Sequence, residues 1–216
     1  MNQKIYVISG LGVDEKAFTK IKFDKDLDIV YINWFTPEKK DTIKSYGLKI
    51  IEKYNLDKDS VIIGLSFGGM VASEISDTLK NKKTILISSA KNINQLPFWI
   101  RIFGKLIYLV PKSFLNKYFF MLDFAFGIKD KEGHTLLKDI INSTDTNFAK
   151  WAMTSIVNWN FRVNNNEIIQ IHGTKDRTLP MKGKPKFIIE NGGHFMIYYE
   201  SEEISKKIKK ALYNNN

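Results

Sequence analysis

Gly64-Leu65-Ser66-Phe67-Gly68 stands between the apolar run Ser60 to Ile63 and a helix-like run from Gly69 to Leu79. The apolar run reads as a buried strand. G-x-S-x-G between strand and helix is the pattern of a nucleophile elbow, a sharp turn that lifts a serine hydroxyl above a parallel sheet. Gly64 and Gly68 flank the serine because a side chain at either place would clash with the neighbouring strand or helix in so tight a turn. Gly69 lets the helix lie close to the sheet. Ser66 is therefore the candidate nucleophile.

A serine hydroxyl attacks poorly without a base, and the base needs a group to orient it. The chain has three histidines, His134, His172 and His194. His134 falls in a polar helical stretch, Asp130 to Asn142, and reads as a surface residue. His172 ends the apolar run Ile168 to Ile171 and reads as a satisfied strand-end histidine. His194 lies in the loop Asn191-Gly192-Gly193-His194-Phe195, after the apolar stretch Phe187 to Ile189 and before the C-terminal helix. From there it can swing over the sheet edge to a serine at the head of an earlier strand. Asp176, in the loop that leaves the strand ending at His172, is the carboxylate expected to orient it. The loop after the preceding strand, Ile87 to Lys91, offers no acid.

Acyl transfer also needs donors for the oxyanion of the tetrahedral intermediate. The backbone N–H of Phe67, at the positive end of the helix after Ser66, is the expected first donor. The second is the N–H of Leu11, in the turn Ser9-Gly10-Leu11-Gly12 that follows the strand-like run Ile5 to Ile8. Gly10-Leu11-Gly12 lacks the third glycine of a dinucleotide fingerprint, no convincing ribose-binding acid emerges about 20 residues on, and the chain has no P-loop.

Apolar runs predict strands at 4–9, 28–33, 60–65, 83–88, 167–172 and 185–190. Helical patterns fill the gaps at Asp14 to Lys22, Thr42 to Tyr54, Gly68 to Lys80 and Glu202 to Tyr213. Such alternation predicts a mostly parallel six-stranded sheet covered by helices on both faces. Sheets of that kind bind ligands at the carboxyl ends of their strands, where all the candidate residues fall. Between the fourth and fifth strands the alternation stops. The patterns there are helical at Leu96 to Val110, Ser113 to Phe126, Gly133 to Asn142 and Asn147 to Trp159, with Asn164-Asn165-Asn166 as a returning loop.

Four segments, Ile8 to Asp14, Val61 to Gly69, Ile171 to Pro180 and Glu190 to Ile197, give the chain a resemblance to small serine esterase-like members of the α/β-hydrolase superfamily. The resemblance implies Ser66 as nucleophile, His194 as base, Asp176 as its partner, and Leu11 and Phe67 as oxyanion donors, with no metal or organic cofactor. It also implies a core of residues 1–91 and 160–216, interrupted by a helical cap at 92–159. Two features depart from the pattern. Ser9 stands where a histidine usually precedes the oxyanion turn, and the connection from Asp176 to the last strand is too short for a helix. The insertion is rich in aromatic residues. Some pack the cap onto the core, and Phe98, Trp99, Phe103 and Phe120 are candidates to line an acyl or aromatic pocket.

At 216 residues and 44% apolar content, one domain with an insertion has ample material for a core. The chain has no cysteine, which excludes disulfides, thiolate metal sites and a thiol nucleophile. Ile5 to Ile8 is too short for a signal-peptide core, so a cytoplasmic location is expected. Arg101 and Lys105 break the apolar stretch Trp99 to Val110, so no stable membrane insertion is expected. The net charge of +10 comes almost wholly from lysine, the arginines being Arg101, Arg162 and Arg177. Scattered lysines without a recognised module predict a solvated surface and not nucleic-acid binding. The expected activity is hydrolysis of carboxylic esters or thioesters through an acyl-enzyme on Ser66. Two alternatives stay open: an acyltransferase using the same acyl-enzyme, and a non-catalytic binding protein on the same fold. Oligomeric state is left open.

Overall fold

In strand β1 (Gln3–Ile8), Tyr6 and Ile8 pack into one apolar cluster while Ile5 and Val7 pack into another, and all four are buried. A strand turns successive side chains to opposite faces, so this run demands cover on both sides of the sheet. The structure, a computed structural model, describes residues 3–103, 119–162 and 168–213, with the backbone alone of Arg101 and Phe103. Around β1 it sets β2 (Leu27–Ile32), β3 (Val61–Leu65), β4 (Lys83–Ile87), β5 (Ile168–Gly173) and β6 (Phe187–Ile189) in the order β2-β1-β3-β4-β5-β6. Every pairing is parallel. β3 is buried along its whole length, as a central parallel strand must be.

One face is covered by α1 (Ile43–Tyr54) and α2 (Phe67–Leu79), through Tyr46, Ile50, Met70 and Ile75. Thr42 starts α1 with a reciprocal cap: its side chain accepts from the Ser45 N–H, and the Ser45 hydroxyl accepts from the Thr42 N–H. The helices expected between β4 and β5 are described as α3 (Phe98–Phe103), α4 (Phe119–Phe126), α5 (Lys131–Ser143) and α6 (Thr146–Val157). The opposite face is covered by α7 (Met196–Tyr199), α8 (Ser201–Tyr213) and a short turn bearing Phe18.

The helix expected from Asp14 to Lys22 is instead a single 3-10 turn, Glu15–Phe18, capped by the Asp14 side chain. Bonds from Ala17 N–H to Asp14 O, Thr19 N–H to Lys16 O and Ile21 N–H to Phe18 O advance the chain in three-residue steps. Those steps bring Phe18 and Ile21 onto the sheet. The last strand is three residues, shorter than expected, and no helix separates β5 from β6. The expected helical stretches to Val110 and from Ser113 fall partly on residues 104–118, and the Asn164–Asn166 loop on 163–167, outside the described residues. Among the described residues no helix is long and apolar enough to cross a membrane.

Candidate active site

Ser66 joins β3 to α2 with φ +50° and ψ −119°, a conformation that an L-residue rarely adopts. Strain of this kind costs on the order of 1–3 kcal/mol and survives only where the surroundings impose it. Here the Ser66 N–H donates to the Ile87 carbonyl at 2.9 Å, and the Ser89 hydroxyl donates to the Ser66 carbonyl at 2.6 Å. The end of β4 thus holds both sides of the turn. The flanking glycines answer to close approach. A Cβ on Gly64 would lie 2.5 Å from the Gly69 Cα, and one on Gly68 would lie 2.2 Å from the Ser9 carbonyl oxygen and 2.5 Å from that of Ile8. These are backbone atoms with nowhere to go. Gly68→Ala is therefore expected to cost about 1–3 kcal/mol in urea unfolding, as overpacking does; unchanged stability would show that β1 and α2 are not so closely docked.

Ser66, His194 and Asp176 come together. Ser66 Oγ lies 2.9 Å from His194 Nε2, and His194 Nδ1 lies 2.8 Å from Asp176 Oδ2. His194 and Asp176 are both buried. The loops that carry them are tied to each other. The Lys175 N–H donates to the Gly192 carbonyl at 2.9 Å, and the Thr174 N–H donates to the Ile189 carbonyl at 3.1 Å. Burial alone would raise the Asp176 pKa. The imidazole of His194 and its hydrogen bond, the nearby His172 ring and the Leu179 N–H at 2.8 Å outweigh it and hold the carboxyl well below the usual carboxylate range. His172 is buried, as a satisfied strand-end histidine should be. Its Nε2–H donates to the Leu179 carbonyl at 2.7 Å and lies 3.5 Å from Asp176 Oδ2, so it braces the loop that presents the acid.

The C-terminal end of α4 is docked onto the same two loops. A helix leaves its last four carbonyls without intrahelical partners, and each finds one here. Asp123 O accepts from the Ile128 N–H, Phe124 O from Arg177 Nη1, Ala125 O from the Thr178 hydroxyl and Phe126 O from the Phe195 N–H. The Phe126 ring meets the His194 imidazole edge-on, with centroids 5.2 Å apart. His134 is half-exposed, and its Nδ1 lies 2.7 Å from Asp123 Oδ2, linking α5 to α4.

Ser66, His194, Leu11 and Phe67 line one cavity of about 280 Å³. Phe67 opens α2, so its N–H is one of the first-turn donors that a helix leaves unused. The far wall comes from the helices between β4 and β5: Ile100 of α3, Leu137, Ile140 and Ile141 of α5, and Met153 and Ile156 of α6. Among the described residues no Lys, Arg, Asp or Glu side chain lines it.

The insertion contributes Phe126 to this cavity, while three of the four aromatic residues expected there are placed elsewhere. Phe98, Trp99 and Phe120 are exposed at 68%, 40% and 65% and do not line the cavity; the side chain of Phe103 lies outside the described residues. In α3 it is Ile100 that turns inward, and one helical face cannot also present its neighbours Phe98 and Trp99. The aliphatic wall had a readable signal in the i, i+3, i+4 spacing of Leu137, Ile140 and Ile141. Among the described residues no group of three or more metal-ligating side chains comes together.

No protein-family model matches the chain, and no curated protein matches it in sequence. Solved structures match it closely in shape. A bromoperoxidase from Bacillus anthracis superposes with a TM-score of 0.77 at 14% identity, over 99% of this chain and 93% of that one. A hydrolase from Oleispira antarctica gives 0.75 at 13% identity, over 100% and 92% of the two chains. An esterase from Exiguobacterium antarcticum gives 0.73 at 13% identity, over 98% and 92%. The chain has the α/β-hydrolase fold.

Proposed function

We propose that this chain is a serine hydrolase that cleaves carboxylic esters bearing an uncharged, apolar acyl group. One observation carries the reading. An unbroken hydrogen-bonded row runs from Ser66 Oγ through His194 to a buried, ionised Asp176, with the serine end opening into an apolar cavity. The names of structural neighbours, a hydrolase and an esterase among them, agree with it.

The mechanism follows from the roles. His194 Nε2 takes the Ser66 proton as Oγ attacks the ester carbonyl, while Asp176, accepting from Nδ1–H, fixes the tautomer and stabilises the imidazolium. The N–H groups of Leu11 and Phe67 receive the oxyanion. His194 returns the proton to the leaving alcohol, and a water activated by the same imidazole releases the acid. Residues 92–159 serve as a cap over the core of residues 1–91 and 160–216, closing the acyl cavity with Ile100, Leu137, Ile140 and Met153 and excluding water from it.

The lining sets the substrate. A charged acyl end would be buried there without a partner, which is costly. At about 280 Å³ the cavity lies at the small end of ligand sites. A series of p-nitrophenyl esters tests this. Each added methylene buried in the cavity is worth about 0.8 kcal/mol, or about fourfold in kcat/KM. The gain should stop once the cavity is full, so octanoate should surpass acetate and palmitate should gain nothing further. A flat series, or a preference for a succinate monoester, would contradict the proposed acyl site.

A further inference from the structure

The Gly10–Leu11 peptide lines the Ser66 cavity, and Trp34 approaches it from a neighbouring hollow. Leu11 lines the Ser66 cavity. Trp34 lines a neighbouring cleft of about 670 Å³, of which Leu11 is not a lining residue. The Trp34 indole Nε1–H donates to the Gly10 carbonyl at 3.1 Å, and the Val13 N–H donates to the same oxygen at 3.2 Å. The described chain has no cis peptide bond. In a planar trans peptide, the carbonyl of one residue and the N–H of the next point in opposite directions. Pinning the Gly10 oxygen on the Trp34 side therefore turns the Leu11 N–H away from Trp34. Gly10 is itself beside the nucleophile: a Cβ built on it would lie 3.6 Å from the Ser66 Cβ.

The same indole also touches the other proposed donor residue. Its ring stacks on Phe67 with centroids 5.5 Å apart at 29°, and it packs against Tyr46 and Phe148 at 5.9 and 5.2 Å. These contacts fix the ring, and the ring aims the hydrogen bond. Trp34 follows β2, a strand that contributes neither the nucleophile, the base nor the acid.

We propose that Trp34 is a positioning residue for the oxyanion site: its indole N–H locks the Gly10–Leu11 peptide so that the Leu11 N–H faces the developing charge. This rests on the serine-hydrolase reading. Without the indole donor, the Gly10 oxygen keeps only the Val13 N–H, and the peptide can tilt about that single bond so that the Leu11 N–H loses its aim. A mis-aimed donor should cost less than a deleted one, for which the loss is about a hundred- to a thousandfold.

Trp34→Phe keeps an aromatic ring in the stack and removes only the N–H. The expected result with p-nitrophenyl butyrate is a fall of about 10- to 100-fold in kcat with KM nearly unchanged. A trifluoromethyl ketone, whose serine adduct places an oxyanion in the site, should bind more weakly by a similar factor. Toluene, an apolar ligand with no oxygen for the oxyanion donors, should bind as it does to the wild type. Normal kcat in folded Trp34→Phe overturns the proposal, and so does equal weakening of ketone and toluene, which would indicate lost packing. Should the variant not fold, indole hydrogen exchange in the wild type decides: slowed exchange at Trp34 Nε1 is expected, and exchange at the rate of a free indole overturns the proposal. Wild-type protein that forms no ketone adduct would fail the serine-hydrolase reading itself, a result separate from any difference between the two proteins.

Discussion

Ser66→Ala is expected to lower ester turnover about 10⁶-fold, a loss near 8 kcal/mol in transition-state stabilisation, while leaving the fold intact. The size follows from the role: with no Oγ there is no acyl-enzyme, and only binding and the oxyanion donors remain to assist attack by water. The fold should tolerate the change because the elbow is held through the Ser66 backbone, its N–H donating to the Ile87 carbonyl and its carbonyl accepting from the Ser89 hydroxyl, and neither bond uses Ser66 Oγ. The variant should also keep its cavity, so butyrate should bind normally. A residual rate within tenfold of the wild type would remove Ser66 from the chemistry.

Asp176→Asn should lower kcat about 10⁴-fold, since an amide in that place favours the wrong imidazole tautomer and cannot offset the imidazolium charge. His194→Ala should cost still more, about 10⁶-fold. Near-normal rates in either variant would take that residue out of the mechanism. The aspartate also makes a pH-dependent contribution to stability. Its folded-state pKa is depressed, so the contribution is fully present above the unfolded value of about 3.9 and is lost as pH falls from there toward the folded value. Wild-type protein should therefore lose stability more steeply below about pH 4 than Asp176→Asn does. Parallel acid-unfolding curves for the two would contradict the ionised, hydrogen-bonded carboxylate.

Much of the parallel sheet was legible in the sequence because each apolar run is continuous and is bounded by turn residues, as doubly covered strands require. The meeting of Ser66, Asp176 and His194 was legible for a related reason. Each sits just past the carboxyl end of a strand, and parallel strands deliver those ends to one edge of the sheet. What escaped the sequence was decided by partners distant along the chain. The 3-10 turn at Glu15–Phe18 carries good helix formers, but Phe18 and Ile21 must both reach the sheet within a short connection. α3, α5 and α6 line the cavity with aliphatic side chains and α4 with Phe126, not with Phe98, Trp99 or Phe120, because the faces these helices turn inward are set by packing and not by residue type. Docking of α4 on the acid and histidine loops uses main-chain carbonyls, which every residue carries, so no residue type announces it. Trp34 gives no motif either: its significance lies in a bond to a glycine carbonyl 24 positions earlier.

In the proposed mechanism Ser66 is a nucleophile activated by His194 and Asp176. Intact-mass analysis after treatment with a fluorophosphonate tests it most directly. One phosphonyl adduct per chain is expected, located on the peptide that carries Ser66, absent in Ser66→Ala and formed orders of magnitude more slowly in His194→Ala. Folded wild-type protein that takes up no adduct, or takes it up at another residue, would contradict it.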